Sequence, residues 1–258
     1  AGAQVALIVP TTLLARQHYY NFKQRMAGFP LNVRMLSRLQ TPAEARKVKE
    51  GLKDGAVDIV IGTHALLANN IEFANLGLLI IDEEQHFGVA HKEKLKNLKA
   101  DVHVLTLTAT PIPRTLQMSL TGVKQLSIIA TPPVDRLAAR TFVMPFDGVM
   151  IKEAIYREKF RGGQNFVSDI ARVFDVLQEL APDAKILVAH GQMPVKQLEE
   201  VMNDFADRKG DILLSTTIIE SGIDMPSVNT MIVYRADMFG LAQLYQLRGR
   251  IGRSKVRG

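Results

Sequence analysis

The sequence predicts an α/β protein with two domains, each built on a mostly parallel sheet covered by helices. Short apolar runs alternate with amphipathic stretches along the whole chain, which is the pattern of repeated strand–helix units. The runs are apolar on both faces, as expected for strands that helices cover on both sides. Residues 130–136 hold two adjacent prolines between the two series of runs. We therefore predict one domain over residues 1–135 and a second over residues 136–258.

Each apolar run of suitable length is interpreted as one strand of these sheets. In the first domain the predicted strands are residues 5–9, 33–36, 59–61, 78–81, 102–107 and 126–129. In the second domain they are residues 141–144, 165–167, 186–189, 212–215 and 231–234. Helical stretches lie between most of them, and Thr41, Pro42 and Glu44 form a typical helix start. The two halves share this architecture without a clear sequence repeat.

The composition restricts the classes of function. The chain of 258 residues has no cysteine, so it offers no thiol nucleophile, disulfide or cysteine-ligated metal. His64, His86 and His190 lack the spacing of a zinc site. The longest apolar run, residues 76–81, is too short to cross a membrane. The net charge of +6 favours a polyanionic partner such as nucleic acid, although surplus surface lysine gives the same value.

An acidic motif follows the strand predicted over residues 78–81. The sequence there is LGLLIIDEEQ at residues 76–85, so the strand delivers Asp82 and Glu83 to its carboxyl end. Parallel α/β sheets bind their ligands at that edge. We predict that Asp82 holds Mg²⁺ through water and that Glu83 orients or deprotonates an attacking water. A solvated acidic turn after a buried strand is the alternative.

A basic motif, QLRGRIGR at residues 246–253, follows an apolar helical stretch over residues 241–247. Arg250 and Arg253 lie three residues apart, and a guanidinium group matches phosphate in a bidentate fork. We predict that both bind the γ-phosphate of a nucleotide as arginine fingers. A basic tail that binds anions loosely is the alternative, but such a tail usually lacks an apolar helical lead.

Two loops rich in hydroxyl groups also follow predicted strands. The first, TATPIPRT at residues 108–115, is predicted to report the nucleotide state to loops that bind DNA. The second, STTIIESGIDMP at residues 215–226, offers hydroxyl and backbone N–H groups to nucleic-acid phosphates. Within it, Asp224 is placed to reach a ribose hydroxyl or an arginine. A rigid proline-bounded turn and a helix-capping loop are the respective alternatives.

Two loops of the first half are further candidates for nucleic-acid contacts. They are PTTLLAR at residues 10–16 and GTHALL at residues 62–67, and each stands where a predicted strand enters a helix. The N-terminal amides of both helices are predicted to bind a phosphate. An ordinary capped helix is the alternative for each loop.

Taken in chain order, these segments resemble motifs Ia, Ic, II, III, V and VI of the superfamily 2 helicases and translocases. Within that superfamily, TATPIPR at residues 108–114 and HGQM at residues 190–193 are similar to two groups. These are the family of bacterial transcription-repair coupling factors and the RecG-type fork-remodelling helicases. DEEQHFGV at residues 82–89, followed by HKE at residues 91–93, looks like the coupling factors, because the RecG type usually has Asp-Glu-Gln-His there.

The resemblance implies two RecA-like domains with ATP and Mg²⁺ in the cleft between them. It implies that hydrolysis drives translocation on double-stranded DNA in transcription-coupled DNA repair, in the bacterial cytoplasm and away from membranes. RNA polymerase and excision-repair proteins would be partners through other regions of the parent protein. The alternatives are a RecG-type helicase that remodels replication forks and a catalytically inactive module that binds DNA or a partner.

The resemblance also implies roles for individual residues. Those at the nucleotide are Asp82, Glu83, Gln246, Arg250 and Arg253, together with Gly222 and Asp224. Those at the DNA are Thr11, Arg16, Thr63, His64, Thr216 and Thr217. Those that couple the two sites are Thr108, Thr110 and Arg114.

The chain departs from the family pattern at the phosphate-binding loop. No Gly-x-x-x-x-Gly-Lys-Ser/Thr occurs in the sequence, and we expect this loop and its strand to precede Ala1. We also expect the second domain to be cut just past motif VI, at Gly258. The segment alone is therefore expected to be inactive, because ATP lacks its main phosphate anchor. Between residues 163–164 and 190–191 the chain also looks a few residues shorter than the family pattern.

Overall fold

The computed structural model describes residues 2–38, 40–68, 70–83, 87, 102–108, 127–129, 131, 139–168, 173–216, 225 and 227–252. The chain divides into two compact units, residues 1–126 and 127–258. The predicted linker at residues 130–136 lies almost wholly outside the described residues, so the boundary after residue 135 stays a prediction. Each unit contains one parallel sheet among its described residues.

The first unit holds a five-stranded sheet in the order β2-β3-β1-β4-β5. Its strands are β1 (Gln4–Ile8), β2 (Val33–Leu36), β3 (Ile59–Gly62), β4 (Leu76–Asp82) and β5 (His103–Leu107). Every neighbouring pair runs parallel, so a crossover connects each strand to the next. These strands confirm the first five runs that the sequence predicted for this half of the chain.

Two α-helices of the described residues pack on this sheet, and both begin at a threonine cap. Helix α1 (Thr12–Arg25) begins after Thr11, whose hydroxyl accepts a backbone N–H of the first turn. Helix α2 (Pro42–Lys53) begins in the predicted capping box: Thr41 Oγ1 accepts the Glu44 N–H at 3.3 Å, and the Glu44 carboxylate accepts the Thr41 N–H at 2.9 Å. That backbone hydrogen bond holds the pKa of Glu44 below its ordinary value.

The core of the first unit lies on both faces of β1. Ala6 and Ile8 belong to the apolar cluster that α2 covers, whereas Leu7 and Val9 belong to the cluster that α1 covers. Successive side chains of a strand point to opposite faces of the sheet, so both faces of β1 are buried. This explains why the strand sequences are apolar throughout instead of alternating with polar residues.

The second unit holds a four-stranded parallel sheet in the order β7-β8-β6-β9. Its strands are β6 (Gln164–Ser168), β7 (Ile186–Ala189), β8 (Ile212–Ser215) and β9 (Val228–Val233). These strands confirm four predicted runs, although β9 begins and ends earlier than the predicted residues 231–234. The apolar pattern did not predict Val228 as part of this strand, because a serine, an asparagine and a threonine surround it.

The described helices of the second unit are α3 (Gly148–Phe160), α4 (Val173–Leu180), α5 (Val195–Ala206) and α6 (Leu241–Arg248). Ile155 of α3 and Leu177 of α4 pack with Val167 of β6 in one buried cluster. Helices α3 and α4 therefore cover the same face of the second sheet.

A buried glutamine opens the central strand of each sheet. In the first unit, Gln4 Nε2 donates to the carbonyl oxygens of Leu52 and Val57 at 3.0 and 2.8 Å. In the second, Gln164 Nε2 donates to Phe205 O and to the carbonyl of the residue two before β8, at 2.9 and 2.6 Å. Each amide thus joins the central strand to the end of a helix and to the loop before a neighbouring strand. The two units share this device although their sequences show no clear repeat.

Two of the predicted strands are wrong. Residues 127–129 and 141–144 are irregular, and no strand of the described residues pairs with them. Phe142 and Val143 are 75% and 96% exposed. An apolar run forms a strand only where a neighbour accepts its backbone hydrogen bonds, and the run itself does not reveal whether that neighbour exists.

The substitution Gln164→Met tests the glutamine anchor. Methionine has a similar length but no amide, so two buried carbonyl oxygens lose their donor. We expect the unfolding free energy to fall by about 1–3 kcal/mol. Urea unfolding followed by circular dichroism measures this loss, with the exposed Gln24→Met as the matched control. Equal stability of the two variants would contradict the anchor role.

Candidate functional site

The predicted site residues of the first unit lie where its parallel strands end. The strand register pairs Ile8 with both Gly62 and Ile81, and it pairs Asp82 with Leu107. The carboxyl ends of β1, β3, β4 and β5 are therefore level, and the segments after them share one edge of the sheet. The predicted residues at this edge are Thr11, Thr63, Asp82, Glu83 and Thr108.

The backbone is strained where the acidic motif leaves β4. Glu83 has a φ of 52°, in the left-handed region that residues other than glycine enter at an energetic cost. Its N–H donates to Asp82 Oδ1 at 2.9 Å, and its side chain is buried. This hydrogen bond fixes the backbone of Glu83 relative to the carboxylate of Asp82.

His18, which the sequence analysis did not single out, contacts the acidic motif. It lies on α1, and its Nε2 stands 3.0 Å from Asp82 Oδ2. A carboxylate can accept hydrogen bonds but cannot donate them, so the imidazole Nε2–H is the donor. The two positions are 64 residues apart, and no spacing rule connects them. The sequence signal that would have found His18 is its place on the helix that follows a candidate phosphate loop.

Asp82 is the residue to which the sequence assigns Mg²⁺. Among the residues that the structure describes, no group of three or more histidine or acidic side chains could hold a metal ion. Mg²⁺ usually keeps several waters and takes one or two carboxylates together with substrate phosphates. Each oxygen of Asp82 accepts one hydrogen bond and has a second lone pair, so metal-bound water still finds an acceptor. A single, partly exposed carboxylate therefore fits a magnesium contact through water.

The two loops predicted to face nucleic acid are joined to each other. The Val9 N–H donates to Gly62 O at 3.0 Å, which ties the turn after β1 to the end of β3. Thr11 caps α1, a full helix of 14 residues, as predicted. The other loop differs from the prediction, because His64–Leu67 is a 3₁₀ helix of four residues and not the start of an α-helix. Ala68 ends it with an extended backbone, at a ψ of 145°.

The side chains of these loops have different surroundings. Thr63 is buried, and its hydroxyl accepts the Ala65 N–H at 3.4 Å, so it shapes the loop. His64 and Arg16 are partly exposed. The guanidinium of Arg16 lies 5.6 Å from the ring centre of Tyr20 on the same helix. Among the residues that the structure describes, Arg16 is the arginine or lysine nearest in sequence to the Thr11 cap.

The second unit has an edge of the same kind. Strand β8 holds in its sheet the place that β3 holds in the first sheet, so Thr216 after β8 corresponds to Thr63 after β3. The Ser215 hydroxyl donates to Thr216 O at 3.2 Å and fixes the start of this loop. Ser168, at the end of β6, accepts the Tyr234 N–H through its carbonyl oxygen at 3.2 Å.

The predicted helical lead of the basic motif is α6. The Gly240 N–H donates to Gln243 Oε1 at 2.9 Å at the start of the helix, and Gln246 lies within it. Beyond its end, the Arg250 N–H donates to Leu247 O at 2.9 Å. Arg250 is buried. A buried side chain differs from one in a solvated basic tail, and the predicted contact of Arg250 to a nucleotide stays a prediction.

The remaining predicted site residues lie outside the described residues, and their roles stay predictions. They are Thr110, Arg114, Thr217, Gly222, Asp224 and Arg253.

Comparison with protein families agrees with this architecture. The family described as "DEAD/DEAH box helicase" matches residues 1–119, and the "Helicase conserved C-terminal domain" matches residues 155–255. Together with the two parallel sheets, these matches define the class of protein: it consists of two RecA-like helicase domains.

Individual relatives narrow this class. The chain is 57% identical to the transcription-repair-coupling factor of Bacillus subtilis over 258 residues, which cover 98% of this chain and 22% of that protein. It is 54% identical to the transcription-repair-coupling factor of Escherichia coli over 256 residues, which cover 97% of this chain and 22% of the relative. The chain belongs to the superfamily 2 helicases, and its sequence groups with the motor segment of the transcription-repair-coupling factors. It spans about a fifth of the length of these relatives.

Solved structures share the fold. RecG bound to a three-way DNA junction has a TM-score of 0.78 at 38% identity, covering 98% of this chain and 35% of that chain. Dbp5 of S. cerevisiae bound to RNA and ADP BeF3 has a TM-score of 0.72 at 15% identity. That match covers 99% of this chain and 70% of the Dbp5 chain. The second likeness shows the fold alone. In the described part of the chain, no helix combines the length and the apolar character needed to cross a membrane.

The substitution Gly62→Ala tests how closely the strand ends of the first unit are packed. A Cβ at residue 62 would lie 2.4 Å from Leu36 O, so the backbone of β2 or β3 would have to move. We expect a loss of about 1–3 kcal/mol in unfolding free energy, measured by urea unfolding. Gly28→Ala is the control, since its Cβ would meet nothing within 4 Å. Similar stability of both variants would contradict the close packing.

Proposed function

We propose that this chain is the motor segment of an ATP-dependent translocase on double-stranded DNA that acts in transcription-coupled repair. The observation that carries the proposal is the identity of 54–57% to transcription-repair-coupling factors over nearly the whole chain. The strained, hydrogen-bonded acidic turn at the carboxyl edge of the first sheet supports it. RNA polymerase and excision-repair proteins would be partners of the whole protein, and it would act in the bacterial cytoplasm.

The acidic motif supplies the groups for hydrolysis. Asp82 would accept hydrogen bonds from the waters of Mg²⁺, which when bound neutralises charge on the β- and γ-phosphates. The Glu83 carboxylate would take the proton of the attacking water as the bond from the γ-phosphorus to the bridging oxygen breaks. The hydrogen bond from the Glu83 N–H to Asp82 Oδ1 fixes the backbone of Glu83 relative to the Asp82 carboxylate.

The basic motif would supply the cations. Arg250 and Arg253 would neutralise the charge that develops on the transferred phosphoryl group, with Gln246, Gly222 and Asp224 assisting at the nucleotide. On the DNA side, phosphates would meet the α1 amides and Arg16, together with the loops that carry Thr11, Thr63, His64, Thr216 and Thr217. Thr108, Thr110 and Arg114 would transmit the nucleotide state between these sites.

A RecG-type activity is the second candidate, since RecG is 38% identical with a TM-score of 0.78. The two activities differ in substrate: a coupling factor moves a stalled RNA polymerase along duplex DNA, whereas the RecG type converts a model replication fork. A third candidate is an inactive module that binds DNA or a partner, since the chain holds no Gly-x-x-x-x-Gly-Lys-Ser/Thr.

A chimera decides among the three. In it, this chain replaces the matched segment of the Bacillus subtilis relative, whose remaining sequence we expect to supply the phosphate-binding loop. We expect ATPase activity stimulated by duplex DNA and release of stalled RNA polymerase. Fork conversion without polymerase release would favour the RecG type. A folded chimera that binds DNA but hydrolyses no ATP would favour the inactive module.

The substitution Glu83→Gln in this chimera tests the role of the acidic motif. Without a carboxylate to take the proton, turnover should fall by at least about a hundredfold, while nucleotide binding is preserved. Glu72→Gln is the control, because the Glu72 carboxylate makes an exposed ion pair with Lys53. ATPase and nucleotide-binding assays measure both effects. Normal turnover in Glu83→Gln would refute the assigned role.

The substitution Arg16→Ala tests the DNA side on the 258-residue chain. Binding to short duplexes should not depend on their sequence and should weaken steeply with salt. Loss of one phosphate contact should lower the salt slope by about one and weaken all duplexes equally. Fluorescence anisotropy measures the slope, with Arg46→Ala on α2 as the control, since that guanidinium pairs with Glu50. An unchanged slope in Arg16→Ala would exclude this contact.

A further inference from the structure

The carboxylate of Asp82 is held from two sides by different elements. On one side, Oδ1 accepts the N–H of Glu83, the next residue along the chain, at 2.9 Å. On the other, Oδ2 accepts the Nε2–H of His18, which belongs to α1, at 3.0 Å. The two side chains of the His18–Asp82 contact are 25% and 20% exposed, so water competes only in part for this hydrogen bond.

Two anchors restrict a carboxylate in a way that one cannot. The torsion that turns the carboxylate plane of an aspartate is broad, because it joins an sp³ to an sp² carbon. A single bond from the adjacent N–H leaves both this torsion and χ1, the torsion about the Cα–Cβ bond, able to change, so the second oxygen can rotate. A donor on that second oxygen fixes the plane, and a group that must meet metal-bound water needs such a fixed geometry.

His18 also connects two parts of the first unit that the proposed function separates. Helix α1 begins after the Thr11 cap and carries Arg16, and these two residues are the proposed DNA contacts. His18 stands two residues after Arg16 on the same helix. Asp82 ends β4 and is the proposed contact to the metal. In the described structure, the His18–Asp82 bond is a direct side-chain link between the DNA-side helix and the nucleotide-side strand.

We infer that His18 is a positioning residue, which orients the Asp82 carboxylate for metal-bound water and joins that orientation to the position of α1. The inference rests on the proposed function, in which Asp82 contacts the metal. A helix displaced by bound DNA would carry His18 with it and turn the carboxylate. An ordinary packing contact between a helix and a sheet would add stability without controlling the side-chain conformation of Asp82.

Nuclear magnetic resonance on the 258-residue chain separates these roles. The χ1 conformation of Asp82 is measured in the unmodified chain, in His18→Ala and in His18→Gln, whose amide N–H replaces the Nε2–H. We expect one conformer in the unmodified chain and in His18→Gln, and averaging between conformers in His18→Ala. His103→Ala is the control, because His103 is exposed at the opposite end of β5. A single Asp82 conformer in His18→Ala would overturn the inference.

A second measurement uses Mn²⁺ as a paramagnetic probe in place of Mg²⁺, in the chimera with ADP present, because the metal takes its other ligands from nucleotide phosphates and water. Its affinity is read from the loss of the electron paramagnetic resonance signal of free Mn²⁺. We expect about tenfold weaker binding in His18→Ala, and recovery in His18→Gln, because loss of a group that orients a metal ligand costs roughly that factor. Equal Mn²⁺ affinity in all variants would overturn the inference.

The two measurements distinguish failure of the proposed metal contact from failure of the inference about His18. If Asp82→Asn leaves the Mn²⁺ affinity of the chimera unchanged, the proposed metal contact is wrong. The Asp82 conformers then still decide whether His18 orients the carboxylate. Thermal unfolding of each variant, followed by circular dichroism, shows whether an effect comes from loss of structure: averaging of Asp82 at unchanged stability supports positioning, whereas averaging only in an unfolded variant overturns it.

Discussion

Parallel pairing on both sides of β1 is the constraint on which the first unit depends. β1 lies between β3 and β4, and its register levels the ends of all three strands. Both faces of β1 are buried, so a shift of one residue would move Leu7 and Ile8 to the wrong clusters. The buried amide of Gln4 further ties the start of the strand to the backbone beside β3. The loops that carry Thr11 and Asp82 are therefore placed by the core beneath them.

The second unit repeats this scaffold with different chemistry at the edge. β6 takes the place of β1, and Gln164 takes the place of Gln4. The register pairs residue 8 with residue 81 in the first sheet and residue 168 with residue 233 in the second. Tyr234 thus stands where Asp82 stands in the first unit. The same strand arrangement ends in an acidic turn in the first unit and in an aromatic residue in the second. The two units therefore cannot serve the same chemical step.

The sequence predicted those parts of the fold that depend on local pattern. The strand that delivers Asp82 was found because its run is long and apolar and ends in acidic residues. The helix start at Thr41 was found because a capping box is a property of four neighbouring residues. The strand predicted at residues 141–144 failed, because a strand also needs a partner and its apolar run is exposed instead.

The parts of the site that depend on tertiary contacts could not be predicted from the sequence. His18 reaches Asp82 only because the tertiary fold brings this side chain of α1 to the end of β4, and nothing within either segment predicts that contact. The 3₁₀ turn at His64–Leu67 was mistaken for a helix start because both begin with a threonine cap. The buried setting of Arg250 likewise follows from the packing around it and not from the basic motif itself.

The exposed segment at residues 141–144 has a consequence for the behaviour of the protein in solution. Phe142 and Val143 present adjacent apolar surface to water, at 75% and 96% exposure, without a charge between them. Exposed apolar surfaces of different molecules associate with one another, and salts that are excluded from protein surfaces strengthen this association. The net charge of +6 opposes close approach, but added salt screens it. Colloidal stability should therefore decline as ionic strength rises, and dilute, low-salt buffers suit this chain best.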